Sequence, residues 1–209
     1  YHPESFNHPD YLISSTEFQS KMVASAFRIP LEKCLNLGYP RNEILKKDQV
    51  DVLNFVEKYE PSETRQLINK CTQFDKAYIY MPTWRDSQKN VFAQQMDLRK
   101  LSEVLKEQNA LLLLKPHTNT IVDSIYQADN IVLVERTVDI YGVWPFTDVL
   151  ITDYSSILYD YLLMPAKQVI LYLYDYDEYV KERDFYYPFD ENVVGKKVES
   201  FETLIARSE

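Results

Sequence analysis

The chain has 209 residues, enough for one packed core of ordinary domain size and short for two. Its composition, 45% hydrophobic, 26% charged and 14% aromatic, is that of a folded globular chain and excludes disorder over most of its length. Lys and Arg total 23 against 32 Asp and Glu; the net charge of -9 provides no field to gather nucleic acid or an anionic bilayer, so any phosphate ligand has to be held by local groups.

In chain order, the sequence opens at Tyr1 without an initiator Met or a basic and apolar leader, which leads us to expect a piece of a longer polypeptide. Asp10 to Ser15, a short apolar run behind Pro9, predicts a strand, and Ser15 or Thr16 then caps a helix through about Phe27. Cys34 to Leu37 predicts a second short strand, ended by Gly38, Tyr39 and Pro40, with a domain boundary near residues 38–45. Asp48 to Lys70 favours helix, and Pro61 divides it into two.

From residue 77 the pattern becomes regular. Strands are predicted at Ala77 to Met81, Ala110 to Lys115, Ile131 to Val134, Asp148 to Thr152 and Gln168 to Leu173, with helices at Asp97 to Gln108 and Ser155 to Leu163. Strands apolar throughout, alternating with helices of about ten residues, indicate an α/β fold with a Rossmann-like parallel sheet covered on both faces. The tail from Lys196 to Glu209 reads as a last amphipathic helix. Apolar runs such as residues 111–114 and 169–174 fall far below the ~20 residues a membrane span needs. Cys34 and Cys71 are widely spaced and lack a metal-binding pattern, so two reduced thiols are expected and no zinc site.

In a parallel sheet, ligands bind beyond the carboxyl ends of the strands. Three predicted strands end in chemically useful groups: Pro82, Thr83, Trp84 and Arg85 after the first, Lys115, Pro116 and His117 after the second, and Asp153, Tyr154, Ser155 and Ser156 after the fourth. Ser155 and Ser156 stand where a strand turns into a helix, so their hydroxyls and the free N–H groups of the first turn can hold a phosphate. Ser155 taken alone reads first as a helix cap. Arg85 offers a planar fork for phosphate, Lys115 a point charge, and His117 a donor or a proton carrier. Arg85 reads equally as a solvated loop residue and Lys115 as a strand-end cation in water. Asp160 lies four residues after Ser156 on the same helix face, where it is either a partner for ribose hydroxyls or a surface acid. Trp84 and the Tyr residues from 172 to 187 can stack on a base, although aromatic side chains more often pack. With three Gly in all and neither GxGxxG nor GxxxxGK[ST], nicotinamide-dinucleotide and P-loop readings fail, and no glycosidase-type carboxylate pair stands out.

GYPRNEIL at 38–45, MPTWRD at 81–86, LLLLKPH at 111–117, DVLITDYSSILYDYLL at 148–163 and YDYDEYVKERDFYY at 174–187 occur in order. As a set they resemble the CDP-glycerol glycerophosphotransferases, the teichoic acid primases and polymerases with related capsule polymerases, from about Asp10 to residue 195. The resemblance implies a GT-B glycosyltransferase-like parent, with residues 1–40 the tail of its N-terminal half and hinge, and residues 41–209 its donor nucleotide-binding domain. By matching motif, Ser155 and Ser156 would hold the donor diphosphate, and His117 with Lys115 would contact the transferred phosphate. Arg85 and Thr83 would share that cleft, and Arg41 would sit near the hinge.

The implied partners are CDP-glycerol or a similar activated donor and a polyol-phosphate or polysaccharide acceptor, with no nucleic acid and no cofactor. The implied location is cytoplasmic, with the parent enzyme peripheral at the inner face of the membrane. Three features depart from the family pattern. The order Lys115, Pro116, His117 replaces an arrangement with Arg or a similar residue beside His-Pro, and Asp184 follows Arg183 where Gly is usual. Neither Trp84 nor Trp144 is followed by His, so the family's Trp-His-Gly base is expected outside this chain. The rival readings are a capsule sugar or sugar-phosphate transferase of the same fold and a non-catalytic nucleotide-binding module.

Overall fold

The computed structural model describes residues 9–83, 96–117, 126–182, 185 and 188–208. The chain divides into two compact units, one through Glu43 and one from Ile44. The first holds strand β1 (Leu12–Ser14), helix α1 (Glu17–Phe27) and strand β2 (Cys34–Asn36), and the two strands pair in parallel. Thr16 caps α1, its hydroxyl accepting from the Gln19 N–H at 3.0 Å, as expected. The Ser14 and Ser20 hydroxyls meet at 2.6 Å in the small buried seam between strand and helix. Tyr11, Phe18, Leu31 and Leu37 remain exposed in this unit.

In the second unit, helices α2 (Gln49–Tyr59) and α3 (Ser62–Cys71) lead into strand β3 (Lys76–Tyr80). Asp48 caps α2 by accepting from the Asp51 N–H, and Pro61 stands immediately before α3, where its missing N–H costs nothing. Helix α4 (Leu98–Glu107), strands β4 (Ala110–Leu114) and β5 (Ile131–Leu133), helix α5 (Ile140–Val143) and strand β6 (Val149–Thr152) follow. The chain continues through helix α6 (Ile157–Tyr161), strand β7 (Gln168–Tyr172), helices α7 (Tyr176–Glu182) and α8 (Phe189–Asn192), strand β8 (Lys196–Val198) and helix α9 (Phe201–Ser208).

Strands β3 to β8 form one parallel sheet in the order β5-β4-β3-β6-β7-β8. The chain winds outward from β3 in one direction, returns to the centre, and winds outward from β6 in the other. Period-2 alternation divides the core between the two faces. Ala77, Ile79, Leu111, Leu113, Leu150 and Leu171 pack with α2, α3 and α6 on one face. Tyr78, Tyr80, Leu112, Leu114, Ile151 and Tyr172 pack with α4 and α9 on the other. Each such fully buried Leu or Ile contributes about 1.5–3 kcal/mol, which makes this sheet the rigid platform of the molecule.

The α/β expectation and the strand series hold, with two corrections. Residues 196–208 are a strand and a helix, not one helix: β8 is a three-residue edge strand whose first two residues are lysines, and charge on an edge hides it from sequence patterning. The predicted helix over 155–163 is only Ile157–Tyr161, continued by a turn. Both thiols are free, Cys71 buried and Cys34 half-buried. No helix among the described residues is long and apolar enough to cross a membrane.

Candidate functional site

Sheet register builds the site. Tyr80 pairs with Leu114 on one side and with Ile151 on the other, so the loops after β3, β4 and β6 leave the sheet at one level. The Met81 N–H donates to the Ile151 carbonyl at 2.9 Å, the Lys115 N–H to the Tyr80 carbonyl at 3.0 Å, and the Thr152 hydroxyl to the Met81 carbonyl at 2.7 Å. Strands β3 and β6 flank the point where the winding direction reverses, and such a switch point opens a crevice because neighbouring loops run to opposite faces. A cleft of about 530 Å³ lies there, lined by Met81, Pro82 and Thr83, by Lys115, Pro116 and His117, and by Tyr154, Ser155, Ser156 and Ile157. All three predicted strand ends therefore meet.

The serine pair is open to a ligand. Ser155 Oγ accepts from the Ile157 N–H only at a long 3.4 Å, and the exposed Ser156 makes no side-chain capping bond. Helix α6 has five residues, so its dipole is small; the hydroxyls and N–H groups carry the phosphate argument, not the helix axis. His117 is exposed and lines the same cleft.

Lys115 is less free than its sequence context implies. Its ammonium donates to the carbonyls of Glu135 at 2.7 Å and Val138 at 3.0 Å, two of its three donors, and so ties the β5–α5 loop to the end of β4. Burial pulls this ammonium below the ordinary lysine value, while the charge of Asp139 opposes the shift. One donor remains for the cleft that Lys115 lines.

Thr83 faces Asp153, a residue to which sequence reasoning gave no role. The Asp153 carboxylate accepts from the Thr83 N–H at 3.0 Å, from the Thr83 hydroxyl, and from the Tyr154 N–H at 2.7 Å. The signal was present: an acid directly after the apolar run 149–151 and Thr152 is out of place unless hydrogen-bonded.

Asp160 is buried and accepts from the Tyr141 hydroxyl at 2.6 Å, so it is no surface acid; it joins α6 to α5 and is not among the residues lining the cleft. Arg41 belongs to the first unit, its guanidinium 4.2 Å above the Tyr39 ring. Arg85 and Trp84, like Arg183, Asp184, Tyr186 and Tyr187, lie outside the described residues. The later aromatic side chains pack on one another: Tyr154 stacks on Tyr179 at 3.9 Å, Phe185 on Phe189 at 4.9 Å, and Tyr172 lies 5.0 Å from Tyr174. Among the described residues, no group of three or more His, Cys, Asp or Glu could hold a metal ion.

A rim of hydroxyls, an imidazole and an ammonium over a Rossmann-type switch point suits a phosphate-bearing ligand, and comparison with known proteins gives that rim a lineage. Residues 3–208 match the family described as CDP-Glycerol:Poly(glycerophosphate) glycerophosphotransferase. The chain belongs to this family.

Among glycerophosphotransferase relatives, it is 32% identical over 206 residues to the teichoic acid glycerol-phosphate transferase of Staphylococcus aureus, covering 94% of this chain and 50% of the relative. It is 32% identical over 193 residues to the teichoic acid poly(glycerol phosphate) polymerase of Staphylococcus epidermidis, covering 89% of this chain and 26% of that protein. In three dimensions it superposes on the wall teichoic acid polymerase TagF with a TM-score of 0.75 at 28% identity, over 95% of this chain and 48% of TagF. The chain thus spans half or less of the length of these relatives.

Proposed function

We propose that this chain is the donor-binding half of a GT-B-like transferase that moves glycerol phosphate from CDP-glycerol to a hydroxyl of a growing teichoic acid polymer. The observation that carries the reading is the cleft in which Thr83, Lys115, His117, Ser155 and Ser156 converge at the switch point. It is supported by the relatives named as glycerol-phosphate transferases and polymerases, and by a variant of TagF soaked with CDPG, on which the chain superposes with a TM-score of 0.71.

In this reading Ser155 and Ser156 donate to the diphosphate, and His117 with the remaining Lys115 donor neutralises charge on the phosphoryl group in transfer. The acceptor oxygen bonds to that phosphorus, the bond to the bridging oxygen breaks, and the electron pair leaves with CMP. The acceptor proton passes to a base contributed by the rest of the parent protein. Residues 1–40 then form the tail of the other half and the hinge, with Arg41 beside it, and Arg85 joins the donor cleft. The parent works on the cytoplasmic side, peripheral to the inner face of the membrane.

Calorimetric titration of the chain tests the reading. CDP-glycerol is expected to bind while a nicotinamide dinucleotide does not, and mixing donor with the chain alone is expected to release no CMP. Equal affinity for both nucleotides, or none for CDP-glycerol at millimolar concentration, overturns it. CDP-ribitol, UDP and GDP arms separate glycerol phosphate transfer from ribitol phosphate and sugar transfer, a choice sharpened by relatives that include a ribitol-phosphate polymerase at 28% identity.

A further inference from the structure

We propose that Asp153 is a positioning residue that holds the two walls of the cleft in register, an inference that rests on the donor-binding reading above. Asp153 is 1% exposed and touches the cleft only through its neighbours. Three donors from two loops converge on its carboxylate: the N–H and hydroxyl of Thr83, after β3, and the N–H of Tyr154, after β6.

A carboxylate taken out of water is costly unless its lone pairs are filled, and here they are filled from both sides of the switch point. Strands β3 and β6 are already neighbours, so the sheet does not need this bond. The loops do, because the ladder ends at Met81 and Ile151.

The consequence reaches the serine pair. Tyr154 precedes Ser155 directly, so fixing its N–H fixes where the two hydroxyls point. Thr83 then acts through Asp153, its hydroxyl donating to the carboxylate and not to a ligand. All three donors reach Oδ1, and the Thr83 N–H also reaches Oδ2 at 3.0 Å; an amide keeps the first oxygen but loses the negative charge that strengthens these bonds and turns an NH2 toward the Thr83 N–H. Preorganised donors of this kind bind phosphate without the entropy of ordering a loop.

Asp153→Asn, Thr83→Val, the double variant and Thr83→Ser test the assignment through two readouts. The first is the Kd for CDP-glycerol, measured well below the unfolding temperature. The second is amide hydrogen exchange in residues 81–83 and 154–156 without ligand. Each of the first two variants is expected to raise Kd by about tenfold, the double variant by no more than about twofold beyond the worse single one, and Thr83→Ser to bind more tightly than Thr83→Val. Exchange should speed up in both loops together.

A lower melting temperature with unchanged Kd makes Asp153 a stabilising residue only and overturns the assignment. So do additive losses in the double variant, or faster exchange confined to one loop. If the wild-type chain does not bind CDP-glycerol, the donor reading fails and exchange alone decides the clamp: acceleration in both loops upholds it, and unchanged exchange ends it. Should Asp153→Asn not fold, Thr83→Val carries the same two readouts.

Discussion

The carboxyl rim of the sheet has two stretches of opposite character. Over β3, β4 and β6 lies the cleft with Lys115, His117, Ser155 and Ser156. Over β7 and β8 lies a second hollow of about 510 Å³, lined by residues 173–178 and Glu199, and therefore by the four carboxyl groups of Asp175, Asp177, Glu178 and Glu199. The same sheet and the same register rule produce both, so the fold supplies only a rim, and the loops decide the sign of what can sit on it. In a chain of net charge -9 this division matters: on the proposed reading an anionic donor rests on a few groups over three strands, and the carboxyl groups of the neighbouring stretch would repel it. Tyr154 joins the two stretches, with its N–H on Asp153 and its hydroxyl donating to Asp175 at 3.1 Å.

Emptying the donor side should break the contrast most completely. Replacing both Ser155 and Ser156 by Ala removes two hydroxyl donors that the protein itself barely uses. Hydrogen bonds to charged groups contribute about 1.5–3 kcal/mol each, so the Kd for CDP-glycerol should rise by about 150-fold or more. The melting temperature should stay nearly constant, because among the described residues the only side-chain bond lost is the 3.4 Å contact to the Ile157 N–H. A large fall in melting temperature with little change in Kd would return the pair to the role of helix cap.

A smaller and more diagnostic effect is expected from pH. The folded Lys115 titrates below its ordinary value of 10.5, chiefly because of burial. Between the folded and unfolded values the unfolded chain binds more protons, so this residue makes folding stability rise with pH across that window. The same deprotonation removes a positive charge from the cleft, so affinity for CDP-glycerol should fall across the window while stability rises. Lys115→Met, which keeps the stem and loses the charge, should flatten both slopes. It should also lower the melting temperature, since the carbonyls of Glu135 and Val138 lose their donor. Parallel slopes in the wild type would mean that Lys115 does not act on the ligand.

These outcomes bear on what the sequence could reveal. Apolar strands alternating with helices announce a parallel sheet, and a parallel sheet announces which loops share a rim; that step alone places His117 and the serine pair beside one cleft. What stayed hidden depends on contacts between residues far apart in the chain. Asp153 meets Thr83 across 70 positions, and its role follows from the register of β3 with β6, which no local pattern encodes. Lys115 reads as a free cation until the turn at 135–138 is seen to occupy it. Asp160 reads equally as a ribose partner and a surface acid because a helix over 155–163 would place it on the face of Ser156, whereas the observed helix is shorter and its acid is buried against the Tyr141 hydroxyl. Strand β8 escaped because an edge strand of three residues with two lysines has no apolar run.

The smallest expected effect sharpens the comparison from the acidic side. Glu199 lines the second hollow and not the cleft, so Glu199→Gln should leave the cleft's hydrogen bonds intact and reduce only the repulsion that an approaching diphosphate meets. Charges at solvent-exposed separations interact weakly, and at 0.1 M salt they are screened over about 10 Å. The expected gain in affinity for CDP-glycerol is therefore about twofold at low ionic strength, vanishing as salt is raised, with the gain appearing in the association rate. A salt-independent gain would mean that Glu199 contacts the ligand directly. A loss of affinity would mean that the acidic stretch accepts hydrogen bonds from the donor, so that the two stretches form one extended site and the contrast between them is one of function within it.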